Sequence, residues 1–131
     1  MGVAYDMGRQ SMARAEAKDR DGWLSLFADD GVVQDPVGVS PFDPTGAGQV
    51  GIDAITAFYD NVISASEEVR FEMRQWAECG QECVFAGTIH ITLPGGQRGS
   101  VDLVNLYKVT HDGSKIASLR SFWEFDKLSF A

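Results

Sequence analysis

A single carboxylate interrupts the apolar stretch GVVQDPVG at residues 31–38. Asp35 follows two valines that are typical of a strand, and Pro36 restricts it to extended geometry. One interpretation is a simple turn, since Asp-Pro pairs mark turns. The other is chemical, because partial desolvation favours the neutral form of a carboxyl group and makes its carboxylate a better base. Asp35 is therefore a candidate general base.

Other groups with catalytic or metal-binding chemistry are sparse. His90 falls in a predicted strand and His111 in a turn, and neither has a carboxylate or nucleophile at a suggestive spacing. Cys79 and Cys83 flank a predicted hairpin turn and could approach each other, but two cysteines without a nearby histidine make a poor zinc site. We expect free thiols. The glycines of 46–51 lack the preceding strand that a dinucleotide fingerprint requires, and we expect neither a metal nor a cofactor.

Composition narrows the class of protein. A chain of 131 residues with 44% hydrophobic and 23% charged residues is typical of one globular domain, which we place at residues 1–131. The net charge of −8 and the scattered basic residues argue against nucleic acid and against an anionic membrane surface. The N-terminus shows no signal-peptide pattern, and no apolar run is long enough to span a bilayer. We expect a cytoplasmic protein.

Periodicity predicts three helices followed by four long strands. Helices are predicted over 4–18, Gly22–Ala28 and Ile52–Ile63, with a short strand at 31–35 between the last two. The segment 39–51 is rich in Pro and Gly and is predicted to be a loop. Long strands are predicted over 68–78, 83–93, 98–110 and 115–126, separated by turn signals. This order favours an α+β fold with helices on one face of a curved antiparallel sheet.

Alternation along the strands sorts their side chains into two faces. One face is a broad apolar wall interrupted by Asn105 and Ser121. It contains Phe85, Gly87, Ile89, Ile91, Leu93, Val101, Leu103, Tyr107, Leu119, Trp123 and Phe125. The opposite face carries Val104, Leu106 and Phe122, which is apolar enough to bind a second copy. We expect a homodimer.

Three segments resemble the ketosteroid isomerase (steroid delta-isomerase) family of the nuclear transport factor 2-like superfamily. They are DRDGWLSLFADDGVVQDPVG, GIDAITAFYDNVI and SLRSFWEF, and LFADD followed by a short strand and DPVG is the most specific part. The resemblance implies a cone-shaped curved sheet wrapped around a deep apolar pocket, with three N-terminal helices. It also implies that Asp35 is the general base, which moves a proton between carbons of a steroid enone.

The resemblance also indicates where the oxyanion donors belong. The family uses a tyrosine on the first helix and a carboxylic acid that is held neutral on a late strand. The register puts Ser11 at the tyrosine position and Asn105 at the acid position. An Asn amide donates at any pH, whereas a serine hydroxyl is too short to replace a phenol, and losing one donor costs about 2.7–4 kcal/mol. Tyr59 matches a second pocket tyrosine and is the remaining candidate donor.

The same register predicts the pocket lining. Trp123 takes an aromatic lining position, and Gly87 stands where the family has a bulky residue, which predicts a wider pocket. The predicted ligand-binding set is Phe27, Phe58, Ile89, Ile91, Leu103, Leu119 and Trp123.

Two functions follow from these residues, and a third is less favoured. The first is an isomerase, acting weakly on a steroid or similar polycyclic enone, with Asp35, Asn105 and Tyr59 as its catalytic residues. The second is a binding protein for apolar, steroid-like molecules that has little or no activity because Ser11 replaces the tyrosine. Dehydratase, cyclase or epoxide hydrolase chemistry would need more polar side chains in the pocket than the sequence provides.

Overall fold

Three helical segments precede most of the sheet in the computed structural model, which describes residues 2–131. Helix α1 spans Val3–Glu16, α2 spans Arg20–Leu24, and α3 spans Ile52–Phe58 and continues into a π-helical turn at Tyr59–Ile63. Asp19 caps α2 by accepting a hydrogen bond from the Gly22 amide at 3.0 Å. The prediction that this helix runs to Ala28 is wrong, because β1 already begins at Phe27.

Seven strands form one sheet in the order β2-β1-β6-β5-β4-β3, with β7 paired to β5. Their bounds are β1 Phe27–Gln34, β2 Gln49–Val50, β3 Glu68–Cys79, β4 Glu82–Thr92, β5 Arg98–Val109, β6 Ile116–Phe122 and β7 Ser129–Phe130. The four long strands β3 to β6 form the predicted antiparallel meander. The predicted α+β class is confirmed.

Two features of the sheet differ from the prediction. Strand β1 pairs with β6 in parallel, with Val33 opposite Leu119, so the sheet is not antiparallel throughout. Strand β6 ends at Phe122 rather than at residue 126, and a 3-10 turn at Phe125–Lys127 redirects the chain toward β7. Trp123 and Phe125 lie beyond the end of the strand but still face the interior cavity. The apolar residues therefore keep alternating with polar ones past Phe122. The pattern therefore could not mark the end of the strand.

A bulge in β3 bends the meander opposite Gly87. The register between β3 and β4 shifts between Met73 and Gln75, and a Cβ at Gly87 would collide with the carbonyl oxygen of Glu72. Bulges bend a strand and increase its twist. Gly87 therefore allows the close approach of two strands, and it does not line the cavity as the predicted wider pocket required.

The predicted sorting of faces holds on β5. Val101, Leu103, Asn105 and Tyr107 are all buried, whereas Asp102 and Lys108 are exposed. The inward residues of the sheet pack under α1 and α3, where the core includes the fully buried side chains of Trp23, Val33, Ile55, Phe85 and Ile116.

The outer face of the sheet combines apolar and charged groups. Phe122 keeps 41% of its surface exposed, while His90 contacts Glu72 at 2.9 Å. Cys79 and Cys83 are both free thiols. None of the helices within residues 2–131 has the length and apolar character needed to cross a membrane. The cytoplasmic location stays a prediction.

Candidate active site

A cavity of about 270 Å³ lies between the concave face of the sheet and the helices. This volume is close to the lower end of the range for small-molecule pockets. Its apolar lining comes from every layer of the fold: Ala15, Trp23, Phe42, Val62, Ile63, Ala65, Val69, Phe71, Ile89, Ile91, Leu93, Val101, Leu103, Leu119, Trp123, Phe125, Leu128 and Phe130. Five of the seven predicted ligand-binding residues are in this set: Ile89, Ile91, Leu103, Leu119 and Trp123.

The other two predicted lining residues, Phe27 and Phe58, belong to the core instead. Phe27 is 3% exposed and packs on the Trp23 ring at 4.6 Å between centroids. Phe58 is 4% exposed and meets the edge of Phe42 at 6.4 Å. Phe27 starts β1 rather than ending a helix, and Trp23 and Phe42 line the cavity in front of these two rings.

Tyr59 does not join the site that was predicted for it. Its ring packs against Trp23 at 5.5 Å, and it does not line the cavity. Burial raises the pKa of Tyr59, and the charges acting on its hydroxyl come from Asp19, Arg20 and Asp60 on the outer surface. The role of Tyr59 as a donor to a molecule in the cavity stays a prediction, which this packing does not support.

Asp35 lies where β1 ends and the chain turns along β6. The Val37 amide donates to the Ser121 carbonyl at 2.9 Å, which holds the turn against that strand. Asp35 lines the cavity, and its Oδ1 accepts a hydrogen bond from Trp123 Nε1 at 2.7 Å. Burial raises the pKa of the Asp35 carboxyl, and the bond from Trp123 opposes the rise only in part. This environment suits a carboxylate that accepts and returns a proton.

Aromatic side chains form the cavity wall that begins at Asp35. The Trp123 indole bonds to Asp35 directly. Phe125 packs on Trp123 at 4.6 Å and on Phe42 at 5.0 Å, and all three line the cavity. Phe42 comes from the loop between β1 and β2, where a dense Pro and Gly pattern gave no sign of a lining residue.

Asn105 lies on β5, on the far side of β6 from Asp35. It is 2% exposed, and its Oδ1 accepts a hydrogen bond from Ser121 Oγ at 2.6 Å. Its Nδ2 lies 3.8 Å from the Met12 sulfur, which is a weak acceptor, so the amide keeps hydrogen-bonding capacity for a ligand. Because adjacent strands are about 4.8 Å apart, the backbones carrying Asp35 and Asn105 are roughly 10 Å apart.

Two further polar residues belong to the site, although neither was among the predicted catalytic and ligand-binding residues: Ser11 on α1 and Tyr107 on β5. Both line the cavity and are 1% exposed. Ser11 Oγ accepts hydrogen bonds from Trp23 Nε1 at 3.1 Å and from the Tyr107 hydroxyl at 3.0 Å. Burial raises the Tyr107 pKa above its usual value, and the charge of Asp35 adds to the shift.

Only part of this arrangement has a signal in the sequence. Strand alternation places Tyr107 on the same face as Asn105, but Ser11 is 96 residues away along the chain. No local pattern connects the two hydroxyls. Among the residues that the structure describes, no group of three or more His, Cys, Asp or Glu could hold a metal ion.

The sequence matches the family model of the SnoaL-like domain over residues 9–119. The chain therefore belongs to this family and has its nuclear transport factor 2-like fold.

Three solved structures extend the comparison. A Δ5-3-ketosteroid isomerase from Mycobacterium sp. is 31% identical, with a TM-score of 0.92 and full coverage of both chains. The Rv0760c protein of Mycobacterium tuberculosis, solved in complex with estradiol-17β-hemisuccinate, is 31% identical over 99% of this chain and 100% of its own, with a TM-score of 0.90. A computationally designed 17-OHP binder is 30% identical over 100% of both chains, with a TM-score of 0.92.

Proposed function

We propose that this protein is a steroid isomerase-like enzyme in which Asp35 moves a proton within a steroid or similar polycyclic enone. The observation that carries the proposal is the position of Asp35. Its carboxylate lines an apolar cavity and is held by one hydrogen bond from the Trp123 ring. The similarity to a ketosteroid isomerase over the full chain supports the same substrate class.

The reaction needs one base and one stabilised oxygen. Asp35 removes a proton from the carbon between the ketone and the double bond, and the electrons move into the carbonyl to form a dienolate. The protonated carboxyl group then returns the proton to the far end of the former double bond, so no proton is gained or lost. An amide hydrogen of Asn105 donates to the oxygen while it carries the negative charge. Positioned donors of this kind lower the barrier because they need no reorganisation.

The test is turnover of a 5-ene-3-ketosteroid, followed by the absorbance of the conjugated enone. Asp35→Asn removes the base with little change in shape, and we expect the rate to fall by about 10²- to 10⁴-fold. Asp30→Asn is the matched control, since Asp30 is an exposed residue of β1. If the wild-type protein shows no Asp35-dependent turnover, the isomerase proposal fails.

A second candidate function is binding of an apolar, steroid-like molecule without efficient catalysis. The observation that favours it is the engagement of Ser11, whose short hydroxyl is already held by Trp23 and Tyr107. On this hypothesis Asp35→Asn leaves the affinity for a phenolic steroid equal or higher, and turnover is absent in both proteins. Calorimetric titration of both proteins with estradiol measures it, and loss of binding in Asp35→Asn would exclude it.

We also propose that the outer face of the sheet pairs two copies of the chain. Val104 and Phe122 are register partners on adjacent strands, and the Phe122 ring is 41% exposed under the guanidinium of Arg120. Sedimentation equilibrium of the wild-type protein and of Phe122→Lys measures the association. A wild-type protein that remains monomeric at all concentrations would refute it.

A further inference from the structure

The hydrogen bonds around Ser11 leave one polar hydrogen without an acceptor in the protein. Trp23, Ser11 and Tyr107 contribute one N–H and two O–H groups to this cluster. The Trp23 N–H donates to Ser11, and one hydroxyl donates to the other at 3.0 Å. Among the described residues, neither hydroxyl has a further hydrogen-bond partner, so the second hydroxyl hydrogen is free to donate. Since both hydroxyls line the cavity, a molecule in the cavity can accept this hydrogen.

Tyr107 and the Asn105 amide approach neighbouring residues of α1. Tyr107 contacts Ser11, while Asn105 Nδ2 contacts the sulfur of Met12, the next residue of α1. Tyr107 and Asn105 are also two positions apart on the same face of β5, a separation of about 7 Å along the strand. Both donors therefore reach the same turn of α1.

Helix α1 is shaped to accept the Tyr107 ring. A Cβ added at Gly8 would lie 2.9 Å from Tyr107 Cδ2 and 2.5 Å from Phe85 Cε2, so only glycine lets the helix approach this closely. Gly8 and Ser11 are three residues apart and share one helix face. Two small residues on α1 thus make room for an aromatic side chain from the sheet.

We propose that Tyr107 is the second donor of the site, held by Ser11 and Trp23, and that it donates together with Asn105 to one oxygen of the ligand. In the structure Tyr107 donates to Ser11, and a ligand oxygen that accepts from Tyr107 requires both hydroxyl hydrogens to rotate. The order of hydrogen bonds is then Trp23 to Ser11, Ser11 to Tyr107 and Tyr107 to the ligand. Each bond in such a chain polarises the next, and a phenol is an effective terminal donor. The ligand class is an apolar polycycle with a ketone or phenol oxygen at the α1 end of the cavity. For the reacting substrate this rests on the proposed isomerase function, but binding does not depend on it.

The experiment compares Tyr107→Phe with a matched control, Tyr5→Phe. Tyr107→Phe removes only the hydroxyl and keeps the ring that packs edge-on against Phe85. Tyr5 also contacts Phe85, but its hydroxyl bonds to Arg9 and it does not line the cavity. Each protein is titrated with estradiol and assayed with a 5-ene-3-ketosteroid, and circular dichroism and thermal unfolding confirm that each is folded.

We expect Tyr107→Phe to bind estradiol roughly three- to tenfold more weakly. Its kcat is expected to fall by roughly 10²- to 10³-fold with little change in KM, because the donor acts mainly on the developing oxyanion. Tyr5→Phe is expected to match the wild-type protein in both assays. A purely structural role for Tyr107 would change the thermal stability but would not separate kcat from KM in this way.

The two assays distinguish failure of the inference from failure of the proposed function. If the wild-type protein turns over substrate and Tyr107→Phe is equally active, the inference is overturned and the isomerase function stands. If the wild-type protein binds estradiol without turnover, the isomerase function fails. The inference then holds if Tyr107→Phe weakens binding and is overturned if it does not. If the wild-type protein neither binds nor turns over, both are overturned.

Discussion

The two ends of the cavity handle polarity in opposite ways. At one end Asp35 brings an ionisable group into apolar surroundings with a single hydrogen bond, from Trp123. At the other end the polar groups are neutral and are bonded to one another, in the pair of Asn105 with Ser121 and in the cluster of Ser11 with Trp23 and Tyr107. A base gains from partial desolvation, whereas donors must be fixed in place before charge develops. The difference supports the proposal that proton transfer takes place at the first end and oxygen binding at the second.

The largest effect is expected when the amide donor, Asn105, is removed from the oxygen-binding end of the cavity. Asn105→Leu is nearly the same size and cannot donate, and we expect kcat for a 5-ene-3-ketosteroid to fall by roughly 10²- to 10³-fold. The steady-state assay should show a smaller change in KM. Ser121→Ala is the informative comparison, since Ser121 only orients the amide through Oδ1, and its effect should be smaller. An Asn105→Leu protein with the wild-type rate would show that the oxygen lies elsewhere.

A second test concerns the stability of the donor end. Ser11→Ala removes the acceptor of the buried Trp23 N–H, and an unsatisfied buried donor costs about 1–3 kcal/mol. We expect this loss in the free energy of unfolding, measured by urea denaturation. Tyr107→Phe should cost less, because Ser11 then still accepts from Trp23. Ser118→Ala is the control, since the half-buried side chain of Ser118 forms no hydrogen bond among the described residues. Its free energy of unfolding should stay within about 0.5 kcal/mol of the wild-type value.

If Ser11→Ala and Tyr107→Phe lose the same free energy of unfolding, the Trp23 N–H does not need Ser11 as its acceptor. The proposed order of hydrogen bonds, from Trp23 to Ser11 to Tyr107, is then wrong.

The smallest effect is expected at the Asp35 end and depends on pH. Because burial raises the pKa of Asp35 in the folded state, the folded protein binds more protons than the unfolded chain between the two pKa values. Its stability therefore falls as pH rises from about 4, the usual value for a carboxyl group, through the raised pKa. Asp35→Asn lacks this loss, and its Asn can still accept from Trp123. We expect a higher Tm than wild type at pH 7 and a smaller difference near pH 4.

Thermal unfolding at several pH values, with Asp30→Asn as the exposed control, measures this difference. A gap that does not change with pH would mean that Asp35 is not the group that titrates.

The base end could be predicted from the sequence because its signal is local. Asp35, its strand and its turn lie within the eight residues 31–38, and alternation along the last long strand assigned Trp123 to the same interior. Strand alternation also placed Leu103, Asn105 and Leu119 correctly. The predicted helix through Phe27 failed because a single turn of helix and the start of a strand share the same apolar residues.

The cluster of Ser11, Trp23 and Tyr107 could not be predicted, because it joins residues that are far apart in the chain. The resemblance put Ser11 at the donor position and left Tyr59 as the remaining candidate, yet the Tyr59 ring packs on Trp23 and does not line the cavity. Tyr107 is available instead because β5 passes under the one turn of α1 where Gly8 leaves room. Its pairing with Ser11 depends on how the helix packs on the sheet.

The sequence by itself determined the α+β order of elements, the two faces of the sheet and the position of Asp35, since each depends on periodicity or on a short motif. Only the tertiary structure decided which polar groups share the cavity. It placed Tyr107 of the sheet, and not Tyr59 of the helical layer, in the cavity wall and put the Trp123 indole against Asp35. The physical reason is that burial and hydrogen-bond partners depend on distances between elements, and a local pattern does not specify them.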